Sequence, residues 1–180
     1  MERKLDATTL YEGRVLTLTR VRVELPDGRR QVREIVHTNG AAGVLAHRGE
    51  RVLFVRQWRT PLNQETLELP AGRIEPGETA LACAKRELNE EGQLAANHWQ
   101  PLTAFYQSAG FSDAHLTLFE AHQLHRPDVQ RPLDDGEVLD GTWLTLAEAQ
   151  QAQATGLICD AKTVIGLALW QLQCMEGTNG

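Results

Sequence analysis

The chain has 180 residues, 42% of them apolar and 23% charged, with a formal net charge of −6. That size fits one domain, or one domain with a small appendage, and the apolar share is that of a soluble globular protein. The acidic balance argues against a nucleic-acid-binding face. It leaves room for a small anionic substrate, because a local arginine cluster or a bound cation can reverse the sign inside a cleft.

In chain order, RVLTLTRVRVEL (14–25) alternates with period two and puts Val15, Thr17, Thr19, Val21, Val23 and Leu25 on one face. The turn signal PDG (26–28) sends the chain back through RRQVREIVHT (29–38) as a partner strand. A ribbon of this kind is marginal alone and needs a packing partner, in the main domain or in a second copy of the chain. From Asn39-Gly40 the pattern changes to short apolar strands, AGVLAH (42–47), RVLFVRQ (51–57) and TLEL (66–69), the last closed by Pro70 and Gly72. A Gly/Pro-rich turn and a helix follow, then the strand-like runs LTAFYQ (102–107), HLTLFEA (115–121) and GTWLTL (141–146). Helices are expected over 146–155 and 161–175, the second capped by Asp160. Strands mixed with a few helices in no regular alternation predict a mixed-sheet α/β sandwich.

Cys83, Cys159 and Cys174 are odd in number and contain no Cys-x-x-Cys pair, so they read as reduced core residues of a cytoplasmic protein. MERKLDATTLYEGR is charged with no apolar stretch after it, which is not a secretory signal. No run approaches the roughly 20 apolar residues of a membrane span.

The chemistry concentrates in GRIEPGETALACAKRELNEEGQL (72–94). Thr79 can cap its helix, and Leu81, Ala84 and Leu88 recur at helical spacing as a buried stripe. Glu87, Glu90 and Glu91 cover an arc of about 100° beside it, and the i, i+4 pair Glu87 and Glu91 can converge on one point. One reading is a solvated acidic face. Against it, carboxylates at a helix C-terminus oppose the macrodipole, which prefers cations there. A cation joining them resolves the conflict, and hard oxygen donors suit Mg2+ or Mn2+.

Gly72, Glu78, Arg86, Glu87, Leu88, Glu90, Glu91 and Leu94 stand in the register of the Nudix box, and the stretch resembles that motif. Six fixed residues give a chance match of about 10⁻⁵ over the chain. One position departs: Gln93 stands where the family has its second glycine, and Gly92 sits one place early. The resemblance implies a Nudix α/β/α sandwich with a mixed central sheet over 39–180, preceded by an N-terminal antiparallel β-ribbon over 1–38. It implies Glu87 and Glu91 as main metal ligands, Glu90 as an additional ligand or one that binds through water, and the Ala71 carbonyl as a metal contact. Arg86 would orient the carboxylates, while Gly72 and Glu78 support the loop. Mg2+ (or Mn2+) would neutralise a diphosphate and activate water.

VRQWRTPLNQETLELPAGRIEPGE (55–78), REIVHTNGAAGVLA (33–46) and SAGFSDAHLTLFEA (108–121) resemble the ADP-ribose/ADP-sugar pyrophosphatase branch. With VLDGTWLTLAEA and ICDAKT the likeness covers nearly the whole chain. That branch implies a nucleoside diphosphate sugar as substrate and a homodimer in which the ribbon is exchanged. Arg33 and Glu34 would serve the substrate in trans, and Arg59 would meet the diphosphate. The residues also admit surface ion pairs for Arg33 and Glu34, a dimer salt bridge for Arg59, and packing for Trp58. In the downstream loop Ala109 replaces the branch's proline and Ala114 its glutamate, leaving the adjacent Asp113 as the candidate base. The alternative reading is a nucleotide-sugar-binding protein on this scaffold with weakened or lost catalysis.

Overall fold

The computed structural model describes residues 1–133 and 139–177. Val138, which opens VLDGTWLTLAEA, and residues 178–180 of the expected second domain lie outside the described residues.

Strands β1 (Arg3–Glu12), β2 (Thr17–Glu24) and β3 (Arg30–His37) form an antiparallel three-stranded sheet in the order β1-β2-β3. Of the alternating face, Val21 and Val23 are buried while Val15 is exposed. Strand β1 escapes a periodicity reading because its six C-terminal residues are all exposed and it presents no apolar face. Exposed ion pairs run along the ribbon, Arg3 to Glu24 at 2.8 Å, Arg33 to Glu2 at 2.5 Å and Arg20 to Glu34 at 3.6 Å. Pairs this exposed contribute little to stability.

The second sheet contains β4 (Ala41–Arg48), β5 (Arg51–Arg59), β6 (Gln64–Glu68), β7 (Ala71–Arg73), β8 (Ala95–Tyr106), β9 (His115–His125) and β10 (Asp140–Thr145). Its main path runs β10-β5-β4-β9-β8, with β6 on β5 and β7 on β4. β4 and β9 are parallel and the other pairs antiparallel, which makes the sheet mixed as expected. The run at 102–107 proves to be the end of the much longer β8, whose polar first half carries no strand signal.

Period-two alternation sorts the core into two layers. Ala42, Val44 and Ala46 of β4, with Leu53, Phe119 and Ala121, pack against Cys83, Ala84 and Leu88 of helix α1 (Ala80–Gly92). Leu45, with Val52, Phe54, Leu116 and Leu118, packs on the other face against Leu167 and Trp170 of α3 (Ala161–Gly177) and Ala149 of α2 (Leu146–Ala154). The result is the α/β/α sandwich. Two expectations are corrected here. Cys83 is buried, but Cys159 and Cys174 are exposed: Cys159 lies in the loop before α3, and Cys174 lies in the last stretch of α3, where residues 171–176 are all exposed. Trp58 is 57% exposed in the single chain, so it does not fill the core. Among the described residues no helix is long and apolar enough to cross a membrane.

Candidate active site

Helix α1 begins at Thr79, whose hydroxyl accepts from Ala82 N at 3.2 Å. It ends at Gln93, which takes the left-handed conformation with φ 53° that a glycine would adopt at less cost. The Gln93 side chain offsets that cost. Its amide donates to Asn89 O and Glu90 O, both at 3.1 Å, and to Arg131 O at 2.7 Å. Gly92 is not the cap. It is where α1 meets Leu53, and a Cβ there would stand 2.8 Å from Leu53 Cδ2.

The spacing of α1 puts its carboxylates around one guanidinium. Arg86 donates to Glu87 Oε1 at 2.6 Å, Glu90 Oε2 at 2.9 Å, Glu78 Oε1 at 3.0 Å and the Arg73 carbonyl at 2.9 Å. Glu78 also accepts from Glu75 N at 3.0 Å, so the loop before the helix is tied to the helix itself. Its carboxyl is held below the usual range by the Arg86 hydrogen bond. Glu91 accepts from Ala71 N at 2.9 Å, bringing β7 against the last turn. Glu87 and Glu90 are buried, at 7% and 9% exposure, which no solvated acidic face would show. Burial, then the Glu87 charge, pushes the Cys83 thiol up to about 12, so it stays protonated and is no nucleophile.

Gly72 explains how Glu87 fits. A Cβ at that position would stand 1.8 Å from Glu87 Oε1. The missing side chain is the space the carboxylate occupies. Three carboxylates and the Ala71 carbonyl offer only oxygen donors, held by the helix and by Arg86; this donor set fits a hard divalent cation.

A cleft of about 610 Å3 opens beside these groups, with Ala71, Gly72, Glu87, Arg59 and Lys162 among its lining. Arg59 is paired with Glu68 through two hydrogen bonds of 2.6 Å, and Lys162 bonds the same carboxylate. Glu68 is 1% exposed. Burial would raise its carboxyl, but the hydrogen bonds from Arg59 and the charge of Lys162 outweigh that and hold it at about 2. One buried anion thus positions two cations at the cleft wall.

Arg86, Glu87, Glu90, Glu91, Ala71, Gly72 and Glu78 therefore stand together as one set, and Arg59 lines the same cleft. Asp113 does not line it. Its carboxylate binds the His37 ring at 2.5 Å and Thr38 N at 3.0 Å, fastening the loop after β8 to the end of the ribbon. Arg33 and Glu34 lie exposed on β3, paired with Glu2 and Arg20, and neither lines the cleft of its own chain. Sequence reasoning passed over Arg14, which reaches the cleft from the turn after β1, and Arg131, 3.5 Å from Glu90. Lys162 stood inside the ICDAKT stretch but had no assigned role; its proximity to Asp160 was the available signal, since Asp160 accepts from it at 2.9 Å.

The NUDIX domain matches residues 37–163 of the chain. An ADP-ribose pyrophosphatase of Bacillus subtilis is 36% identical over 96% of this chain and 94% of its own length. The methanol dehydrogenase activator of Bacillus methanolicus is 38% identical with the same coverage, 96% and 94%. In three dimensions the chain is similar to a solved ADP compounds hydrolase, with a TM-score of 0.86 over 98% of this chain and 95% of that one at 23% identity, a likeness of fold. With its glutamate helix in the family's register, the chain belongs to the NUDIX family of hydrolases.

Proposed function

We propose that the chain hydrolyses the diphosphate bond of ADP-ribose or a related nucleoside diphosphate sugar, giving AMP and a sugar phosphate, with Mg2+ or Mn2+ as its cation. The observation that carries this reading is the set formed by Glu87 and Glu90, braced by Arg86, and Glu91, tied to Ala71 N, beside Gly72, with Arg59 and Lys162 on the same cleft. The substrate class is supported by the relatives in Bacillus subtilis and Mycobacterium tuberculosis that are ADP-ribose pyrophosphatases, the latter 32% identical over 91% of this chain.

Glu87, Glu90, Glu91 and the Ala71 carbonyl would hold the metal. When bound, a divalent cation neutralises phosphate charge and makes a nucleophile available from water near neutral pH. The chain's own groups do the positioning. Arg86 keeps the carboxylates aimed, at a cost in repulsion that its own charge offsets. Arg59 and Lys162 present positive charge to the diphosphate from a pre-set wall, which is electrostatic stabilisation of charge developing on the leaving oxygen. Asp113 enters as the base that the loop after β8 would bring in by releasing His37.

Incubation with ADP-ribose and Mg2+, followed for AMP, tests the reading. AMP release that stops with a chelator, and falls at least 10³-fold in a Glu87→Gln/Glu91→Gln variant, is the expected result. Binding without AMP release would instead establish the non-catalytic alternative, against which the complete carboxylate set already speaks. The Bacillus methanolicus relative favours one second reading, action on a dehydrogenase. A methanol dehydrogenase assayed with and without the chain decides it.

We also infer a homodimer, with residues 1–38 as a dimerising ribbon and 39–180 as the hydrolase domain. The ribbon supports this by exposing Leu10, Tyr11 and Val32 to 42%, 58% and 50%. A second copy covering that surface is what would carry Arg33 and Glu34 to a cleft. Free cysteines fit the reducing cytoplasm.

A further inference from the structure

A second group of ligating side chains stands apart from the glutamate helix. His47 is the penultimate residue of β4, Glu120 and His122 lie two residues apart on β9, and the parallel register places these strands side by side. Residues 120 and 122 share the α3 face of the sheet, because side chains alternate along a strand. From Ala41, at the cleft, to His47 the strand runs six residues, about 20 Å at 3.3 Å per residue.

The cluster contains an electrostatic mismatch. Glu120 is 6% exposed, and among the described residues no Lys or Arg pairs with it. Its neighbours are His47 Nε2 at 3.7 Å, His122 Nε2 at 3.5 Å and the Gln173 amide, which donates to Oε1 at 2.6 Å. The His47 distance is too long for a hydrogen bond, and that buried nitrogen has no partner. A buried anion without a strong cation, beside a buried nitrogen without a partner, is costly on both counts. A single cation bound by both groups removes both costs.

We propose that His47, Glu120 and His122 form a site for a divalent transition-metal ion of the Zn2+ type, separate from the glutamate helix. The three donor atoms lie within 4.8 Å of one another. Two imidazoles and a carboxylate suit Zn2+ and leave a position for water, whereas Mg2+ prefers oxygen alone. Gln173 holds the carboxylate from the second layer, as outer partners of metal ligands do. Trp170 meets the His47 ring edge-on at 6.2 Å and fixes its plane. The His47 and His122 rings stack, with centroids 4.6 Å apart and planes 9° apart. Parallel rings keep their lone pairs side by side, so His122 turns about its Cβ–Cγ bond to reach the shared ion. Its side chain is 39% exposed, which permits the turn and gives the ion access from solvent. Both ends of α3 then matter: Lys162 serves the cleft, and Gln173 serves this site.

The test is titration of the chelator-treated protein with Zn2+ by calorimetry, in excess Mg2+ to occupy the glutamate helix. We expect one equivalent of Zn2+ at micromolar or tighter Kd, a rise in Tm, and no loss of this event in Glu87→Gln/Glu91→Gln. His122→Ala should weaken binding at least 10-fold without altering the Tm of the zinc-free protein by more than a few degrees. Gln173→Ala should weaken it about 10-fold. Co2+ in place of Zn2+ should give visible absorption that His122→Ala abolishes, which a purely structural effect would not produce. Absence of Zn2+ binding, or binding that His122→Ala leaves intact and the glutamate variant removes, overturns the proposal.

Discussion

At Gly72 one hydrogen in place of a side chain decides whether Glu87 can stand where it does. Gly72→Ala is expected to lower AMP release at least 10²-fold while the fold survives, because the new Cβ would stand 1.8 Å from Glu87 Oε1 and displace that carboxylate. Steady-state kinetics alongside a thermal melt check this; full activity would remove Glu87 from the site. Asp113 is the opposite case, a residue whose neighbours were not legible from its position in the chain. The sequence shows it beside the vacant glutamate position at Ala114, while its carboxylate is bound to His37, 76 residues away. Asp113→Ala should reduce kcat about 10²-fold, the size of a lost general base, with a change in Tm of only a few degrees. Unchanged turnover would leave Asp113 as a fastener of the loop alone.

At the scale of elements, α1 was readable because helical spacing is local: residues 86, 87, 90 and 91 are fixed relative to each other once the helix forms. Its ending was not. Gly92 invites assignment as the cap, and only contact with Leu53 and Arg131 shows why Gln93 takes that place. Gln93→Ala is expected to destabilise the protein by about 1–2 kcal/mol in a denaturant titration, by removing three side-chain hydrogen bonds while keeping the left-handed backbone. No loss would mean those bonds contribute nothing net. The junction of β6 with α3 predicts a pH dependence. Glu68 is held at about 2 in the folded chain against an ordinary 4.5. A depressed carboxyl gives stability that is fully present above pH 4.5 and is lost as the pH falls toward 2. The loss should be about 3 kcal/mol, and Glu68→Gln should flatten Tm against pH across that window; an unchanged slope would contradict it.

Across the whole molecule, the ribbon joins the second sheet's domain through Val36 N, which donates to Phe111 O at 2.9 Å, through Asp113 N, which donates to Val36 O at 3.2 Å, and through Arg73, which donates to Arg14 O at 3.2 Å. The proposed homodimer would cover the ribbon's exposed apolar residues Leu10, Tyr11 and Val32. Val32→Asp is therefore expected to shift the protein from dimer toward monomer in sedimentation and to reduce ADP-ribose turnover with it. A dimer that persists at the same concentration would exclude this face. Sequence by itself determined the sandwich class, the register of the glutamate helix and the loop before it, since all follow from periodicities and spacings within about twenty residues. Tertiary structure alone decided that Lys162 and Arg59 share Glu68, which lies 94 residues from Lys162, and that His47 meets Glu120 and His122. It also decided that Asp113 faces the ribbon. These contacts join strands and helices distant in the chain, and their partners are chosen by strand order and layer packing, which no local pattern of residues encodes.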